Sequence, residues 1–245
     1  MPWSPELSIE EKLKYLLVPP SLYMRYRLRK ELRRGEPEIH LIPFLADTDK
    51  LALDIGANKG VWSYALSRLG CNVVAFEPNP KMFRVLDRCA PDSVTRHNMA
   101  LSDQSGIAHL RIPVTSKGHS NQGASLSAVK VADNFDSVEV EARTLDDMDL
   151  TNVGFMKIDV EGFELEVLTG AARTIARDRP NLVVELEERH TDKKLDELVG
   201  TVCTYGYRAY VLSNNVLTPF GRAHVGNHVD SHGRYLFNFI FLPDD

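Results

Sequence analysis

Residues 51–60 read LALDIGANKG. An apolar run that ends on an acid and passes straight into a glycine turn is a strand-turn-helix signature of an open α/β sheet. It constrains the ligand as well as the fold. A dinucleotide fingerprint needs G-x-G-x-x-G, because its second glycine lets the backbone approach a pyrophosphate. Here Ala57, Asn58 and Lys59 separate Gly56 from Gly60. Glycine and asparagine both tolerate positive φ, so the turn stays tight. The bare backbone shelf for a pyrophosphate is missing, and Asp54 adds a carboxylate at the strand tip.

A second apolar run, NVVAFE at 72–77, ends on Glu77, 21 residues after Gly56. An acid about 20 residues past such a turn reaches the ribose hydroxyls of an adenosine ligand. A ligand with a cationic amino group, a ribose and no phosphate fits both acids. S-adenosylmethionine is such a ligand.

From Lys50 onward the pattern alternates strand and helix, which implies a largely parallel sheet covered on both faces. A helix is expected near Val61–Leu69, stopped by Gly70. Another starts at Pro80, capped by Asn79. A strand near Val94–Asn98 follows. His109–Pro113 and Val138–Ala142 read as extra strands around a polar loop, Thr115–Ser127. Phe155–Val160 and Leu182–Leu186 read as core strands, with one helix near Phe163–Arg177 between them. A helix over Thr191–Tyr205, capped by Thr191, precedes strands at Tyr207–Leu212 and Tyr235–Leu242.

Residues 1–49 have a different texture and are expected to form a helical extension to a domain spanning 50–245. Ser8 and Glu11 make a capping box for a helix through Leu17, and Pro19-Pro20 ends it. Ser21 is expected to cap a second helix running to about Arg34, rich in arginine. That helix reads as a solvated cationic face, with contact to a membrane or an anionic substrate as the alternative. The extension is also a candidate surface for homo-oligomer contacts. A formal charge of −5 argues against a nucleic-acid binder. Three scattered cysteines, Cys71, Cys89 and Cys203, with no C-x-x-C pair fit a reducing compartment. No apolar stretch reaches membrane-spanning length and no signal-peptide core opens the chain, so the expectation is a cytoplasmic protein.

Five stretches carry a family resemblance: DIGANKG at 54–60, FEPNP at 76–80, NMALSD at 98–103, KIDVEGFELEVLTGA at 157–171 and VVELE at 183–187. Together they resemble the FkbM family of S-adenosylmethionine-dependent methyltransferases, over roughly Leu51–Leu242. The KIDVEG run is the most family-specific of them. The resemblance implies a Rossmann-like class I sheet of seven strands, the last antiparallel and inserted beside the fifth. It also implies methyl transfer to an oxygen, often a hydroxyl of a small molecule, sugar, glycolipid or polyketide.

Ligands of such sheets sit outside the carboxyl ends of the strands. On that basis Asp54 and the backbone of Gly56, Ala57, Asn58 and Gly60 are expected to hold the methionine end of the cofactor. Glu77 and Pro78 flank the ribose, and Asn98, Ala100 and Ser102 border the adenine. Asp159 is expected beside the methyl group. A capping role for Asp54 and a backbone bond for Asn98 are the bland alternatives. Asp159, Glu161, Glu185 and His190 form the candidate cluster for taking the acceptor's proton. No metal ligand is assigned, although a divalent ion is an open alternative there. Lys157 is expected to pair with Asp159, Asp54 or Glu185, because an ammonium inside a parallel sheet needs a counter-charge. Glu161 is expected at a helix start and Glu187 at the rim.

His224, His228 and His232, with Asp230 among them, mark a loop before the last strand. It is expected to cover the acceptor as a polar lid, and Thr115–Ser127 with His119 is a second lid candidate. Two rival functions keep the same strand-end acids: a non-catalytic module that binds an adenosine ligand, and an NAD-type oxidoreductase.

Overall fold

The structure is a computed structural model and describes residues 8–115, 118–120, 123–127, 134–223, 225 and 228–244. The first helix, α1 (Ile9–Leu17), opens on the expected capping box. Glu11 N–H donates to Ser8 Oγ at 3.2 Å, and Ser8 N–H donates to the Glu11 carboxylate at 2.9 Å. Helix α2 (Pro20–Arg34) starts two residues earlier than expected, with Pro19 rather than Ser21 at the cap. Proline's fixed φ suits the first helical position, so Pro20 itself begins the helix. A short turn of helix, α3 (Ile42–Leu45), leads into the sheet.

Then follow β1 (Leu51–Ile55), α4 (Val61–Leu69), β2 (Asn72–Phe76), α5 (Pro80–Cys89) and β3 (Val94–His97). Next come β4 (Ala100–Leu101), β5 (Gly106–Thr115), β6 (Gly118–His119) and β7 (Phe135–Arg143). The remainder is β8 (Val153–Ile158), α6 (Glu164–Gly170), α7 (Ala172–Asp178), β9 (Asn181–Glu185), α8 (Leu195–Cys203), β10 (Tyr207–Ser213), β11 (Val216–Pro219) and β12 (Asn238–Pro243). The main sheet has eight strands in the order β11-β10-β12-β9-β8-β1-β2-β3. The last strand, β12, lies between β9 and β10 and is antiparallel to both. That is the implied insertion beside the fifth core strand. The eighth strand is β11, which folds back antiparallel on β10 at the edge. A second sheet, in the order β4-β7-β5-β6, contains the two extra strands that the sequence marks.

Alternate residues of the core strands feed opposite faces, as a period of two requires. Leu53, Met156 and Val184 enter one apolar cluster, and Ala52, Phe155 and Val183 enter the other. All six residues of β8 are buried, which suits a central strand covered on both sides. Tyr15, Tyr23 and Met24 of α1 and α2 pack with Tyr64, Val85 and Cys89, so the first two helices lie against α4 and α5.

Two helices differ from expectation. The single helix expected over 163–177 is broken into α6 and α7 at Ala171. At Gly170 a Cβ would lie 1.9 Å from the Ser102 carbonyl oxygen, so the backbones are in contact and the chain turns there. The helix expected to start at Thr191 starts at Leu195. Glu188–His190 forms a tight turn instead, and Glu188 Oε1 accepts the Leu195 N–H at 2.8 Å. Thr191 Oγ1 accepts the Lys193 N–H instead, at 3.3 Å.

Candidate active site at the carboxyl end of the sheet

Parallel strands β1, β2, β8 and β9 end side by side, and their tips carry most of the polar chemistry. Gly56 has φ +82°, and a Cβ there would lie 1.8 Å from the Asp159 carbonyl oxygen. Only glycine lets the turn after β1 sit against the end of β8. The N–H groups of Gly56 and Ala57 both donate to the Phe76 carbonyl, at 3.0 and 2.9 Å. Glu77 closes the turn from the other side. Its carboxylate accepts from Asn58 N–H at 2.6 Å and from Asn79 N–H at 2.8 Å. Burial pushes the Glu77 carboxyl up to about 7, partly offset by those two N–H groups.

Asp54 is buried and accepts from both Ser63 N–H (2.8 Å) and Ser63 Oγ (2.5 Å). It therefore ties down the first turn of α4, which is the capping alternative. Burial raises its carboxyl to about 6, against the lowering effect of Ser63 and Lys157.

A cavity of about 910 Å³ opens over these strand ends. Its lining includes Asp54, Gly56, Ala57, Asn58, Glu77, Pro78, Ala100, Asp159, Glu161, Glu185 and His190. Gly60, Asn98 and Ser102 are not part of that lining. Gly60 stays in the turn, with φ +80°. The Asn98 side-chain amide donates to the Glu77 carbonyl at 2.8 Å, so it braces the loop after β2, which is its backbone-bond alternative. Ser102 Oγ donates to Asp103 at 3.0 Å, away from the cavity.

Lys157 is buried in the middle of the acids. Its ammonium lies 3.3 Å from Asp159 and 3.6 Å from Glu36, and it donates to the Asn238 side-chain oxygen Oδ1 at 3.1 Å. Burial alone would lower its pKa, but Asp159, Glu36 and Glu185 reverse that and hold it firmly charged. Glu185 is raised well above the usual carboxylate range by burial and by Asp159. Its Oε2 is buried and has no hydrogen-bond partner among the described residues.

Glu161 does not begin a helix. It sits in the turn before α6 with φ +60°, and Glu164 caps that turn by accepting from the N–H groups of Val160 and Gly162. The Glu161 side chain faces His190, at 3.7 Å, and accepts from Gly123 N–H at 2.9 Å. Glu187 is buried rather than at a rim. It lies 3.5 Å from His190 Nε2 and bonds Arg189, because the tight turn at 188–190 folds it inward. Glu161, Glu185 and His190 each bring one ligand-type atom to within 4.8 Å of the others.

The two lid candidates differ. Ser120, Gly123, Ala124 and Leu126 line the cavity, and Ser125 Oγ donates to the Glu161 carbonyl at 2.6 Å. Residues 116–117 and 121–122 of that loop lie outside the described residues. In the loop before β12, His224 lies outside the described residues. His228 is buried: its Nδ1 bonds the Leu236 carbonyl (2.9 Å) and its Nε2 accepts the Glu188 N–H (3.2 Å). Asp230 accepts from Ser213 Oγ at 2.6 Å and from the N–H groups of His232 and Arg234. Both organise the loop beside the end of β9 and neither lines the cavity.

Residues that local pattern did not mark also reach the site. Glu36 bonds Trp62 Nε1 (3.1 Å) and the Asn238 amide (2.9 Å) as well as meeting Lys157. Arg27 and Glu31 of α2, Lys59 and Arg189 line the cavity. Asn238, a lone amide at the head of an apolar strand, was the one legible signal. Nothing near Glu36 in sequence marks it.

The family model for the FkbM methyltransferase domain matches residues 54–209. The chain belongs to the FkbM methyltransferase family. The FkbM match contains every strand-end acid described above. A hexuronic acid methyltransferase, AglP of Haloferax volcanii, is 32% identical over 156 residues, covering 61% of each chain. The chain thus spans about three fifths of this curated relative's length. Among solved structures, a FkbM methyltransferase from Methylobacillus flagellatus superposes with a TM-score of 0.53 at 17% identity, over 94% of this chain and 57% of that one. A TehB-like SAM-dependent methyltransferase from Corynebacterium glutamicum gives 0.52 at 13% identity, over 91% and 96%. These two likenesses show the shared fold.

Proposed function

We propose that this FkbM chain is an S-adenosylmethionine-dependent methyltransferase that methylates a hydroxyl of a sugar-type acceptor. The observation that carries the reading is one cavity with two differently built polar groups. At β2 a buried carboxylate, Glu77, is braced by two backbone N–H groups beside a turn without a pyrophosphate shelf. At β9 lie Glu185 and His190 with Glu161. Three strand spacings separate them, about 14 Å at ~4.8 Å each. The volume is near the top of the ~300–1,000 Å³ range of ligand sites, enough for cofactor and acceptor together.

The residues fit the cofactor: Glu77 would hold the ribose hydroxyls, and Asp159 with the turn at Gly56–Asn58 would border the methionine end, while Asp54 anchors the following helix through Ser63. When bound, it supplies an electrophilic methyl group on a sulfonium. The chain's own task is alignment and proton removal. His190, flanked by Glu161 and Glu187, is the proposed base for the acceptor hydroxyl, and the two acids stabilise its imidazolium form. Glu185, whose buried Oε2 has no partner among the described residues, would meet the acceptor through a hydrogen bond. Lys157 supplies a counter-charge to Asp159, 3.3 Å away.

The acceptor class draws on the hexuronic acid named for the Haloferax relative. Cationic Arg27, Lys59 and Arg189 on the cavity wall suit a carboxylate-bearing sugar. Burial and nearby Arg27 and Lys14 lower Lys59 to about 8, and a bound carboxylate would raise it again. The test is calorimetry with S-adenosylmethionine and with NAD, then methyl transfer to glucuronate against glucose. Binding of NAD alone would overturn the reading, and equal turnover of both sugars would overturn the acid preference.

The convergence of Glu161, Glu185 and His190 favours a second reading, in which a divalent cation seats the acceptor oxygen. Full activity in excess chelator would eliminate it and leave His190 as the base.

A further inference from the structure

Seven of the thirteen large apolar side chains exposed among the described residues fall within residues 9–32. In α1, Ile9, Leu13, Leu16 and Leu17 are spaced i, i+4, i+7 and i+8, so they share one face. That face points outward: Ile9 is 78% exposed, Leu16 77% and Leu17 75%, while Tyr15 faces the core. An amphipathic helix with its apolar side in water is the reverse of ordinary packing.

Helix α2 continues the pattern with charge added. Leu22, Arg25, Tyr26, Arg29 and Arg33 fall on one face by spacing, and all are exposed. Tyr23 and Met24 occupy the inward side. Residues 8–34 hold eight lysines and arginines against three acids, although the whole chain is at −5. The rest of the chain is therefore strongly acidic, and cationic charge is concentrated beside the exposed leucines.

We propose that the outer faces of α1 and α2 dock on an anionic lipid bilayer. Leucine and isoleucine side chains enter the acyl boundary while arginines and lysines meet lipid phosphates. The charge selects this occupant. A second copy would set cations against cations, which disfavours a symmetric pair. A nucleic acid would leave the apolar face of α1 in water. The opposite side of α2 lends Arg27 and Glu31 to the cavity wall, so docking would hold the cavity next to the membrane surface.

The test uses the full chain without acceptor or cofactor, so its outcome is independent of the proposed chemistry. Co-sedimentation is measured with vesicles of phosphatidylglycerol and phosphatidylcholine, and with phosphatidylcholine alone. Binding should be roughly tenfold or more tighter to the anionic vesicles and weaken in high salt. The double variants Leu16→Glu/Leu17→Glu and Arg25→Glu/Arg29→Glu should each lose about tenfold while keeping the wild-type circular-dichroism spectrum and thermal transition, which report intact folding. Wild-type protein that ignores anionic vesicles, or variants that bind them as well as wild type, overturns the proposal. A wild-type dimer in sedimentation, dissociated by the same variants without any vesicle binding, overturns it in favour of self-association.

Discussion

Glu77 shows how one buried carboxylate couples the site to pH. Its ordinary value near 4.5 is raised to about 7 by burial. Below about 4.5 the group is protonated whether the chain is folded or not, so pH has no leverage through it. Between about 4.5 and 7 the folded chain keeps a proton that the unfolded chain has lost, so stability falls as pH rises and levels off above 7. Asp54 adds the same sign between about 3.8 and 6. Urea titrations of the ligand-free protein should show this decline, and Glu77→Gln should reduce it, leaving the parts due to Asp54 and to Glu164, which burial also raises to about 7. Cofactor affinity should move the other way, tightening as pH rises through 7 and the carboxylate forms. Calorimetry should find Glu77→Gln weaker by on the order of 1.5–3 kcal/mol at pH 8, with the pH dependence reduced. On the acceptor side, His190→Ala should lower kcat about 100-fold or more with little change in cofactor Kd, and Glu161→Gln should shift the pH-rate profile. A variant with wild-type turnover would remove His190 from the role of base.

At the scale of elements, backbone proximity decides more than propensity does. The stretch 163–177 contains only one glycine, Gly170, and its apolar spacing reads as one continuous helix. The contact of Gly170 with the Ser102 carbonyl is a long-range fact, and it divides α6 from α7. Gly170→Ala should therefore cost about 1–3 kcal/mol, the range for forcing an extra carbon into a packed site, read as a lower Tm. Thr191 fails as a helix cap for a related reason. The turn at 188–190 is shaped by Glu187 and His190 folding inward, which leaves Glu188 to cap α8. The capping box of α1 and the Asn79 cap of α5 were legible because every partner lies within a few residues.

The whole molecule joins its first helices to its last strand through Glu36. That side chain meets Lys157 of β8, Trp62 of α4 and Asn238 of β12, three parts of the chain far apart in sequence. Glu36→Gln should leave the buried Lys157 ammonium with one counter-charge fewer, and the effect should reach both fold and site. The expected outcome is a Tm lower by a few degrees together with a reduced kcat, since Lys157 holds Asp159 in place. Loss of Tm with unchanged kcat would make Glu36 purely structural.

The family resemblance implied the insertion of the last strand, and the sequence alone determined most of the order of strands and helices, together with the turn and acids at Asp54, Gly56 and Glu77. Those features depend on residues close in the chain: alternating burial, a glycine where φ is positive, an acid at a strand tip. Tertiary structure decided which acids meet. It turned Asp54 toward Ser63 and Asn98 toward the Glu77 carbonyl, and it gathered Glu161, Glu185 and His190 at one point. It also brought Glu36, Arg27 and Glu31 to the site, because a side chain's partner across a sheet is fixed by strand order and packing, which no local pattern encodes.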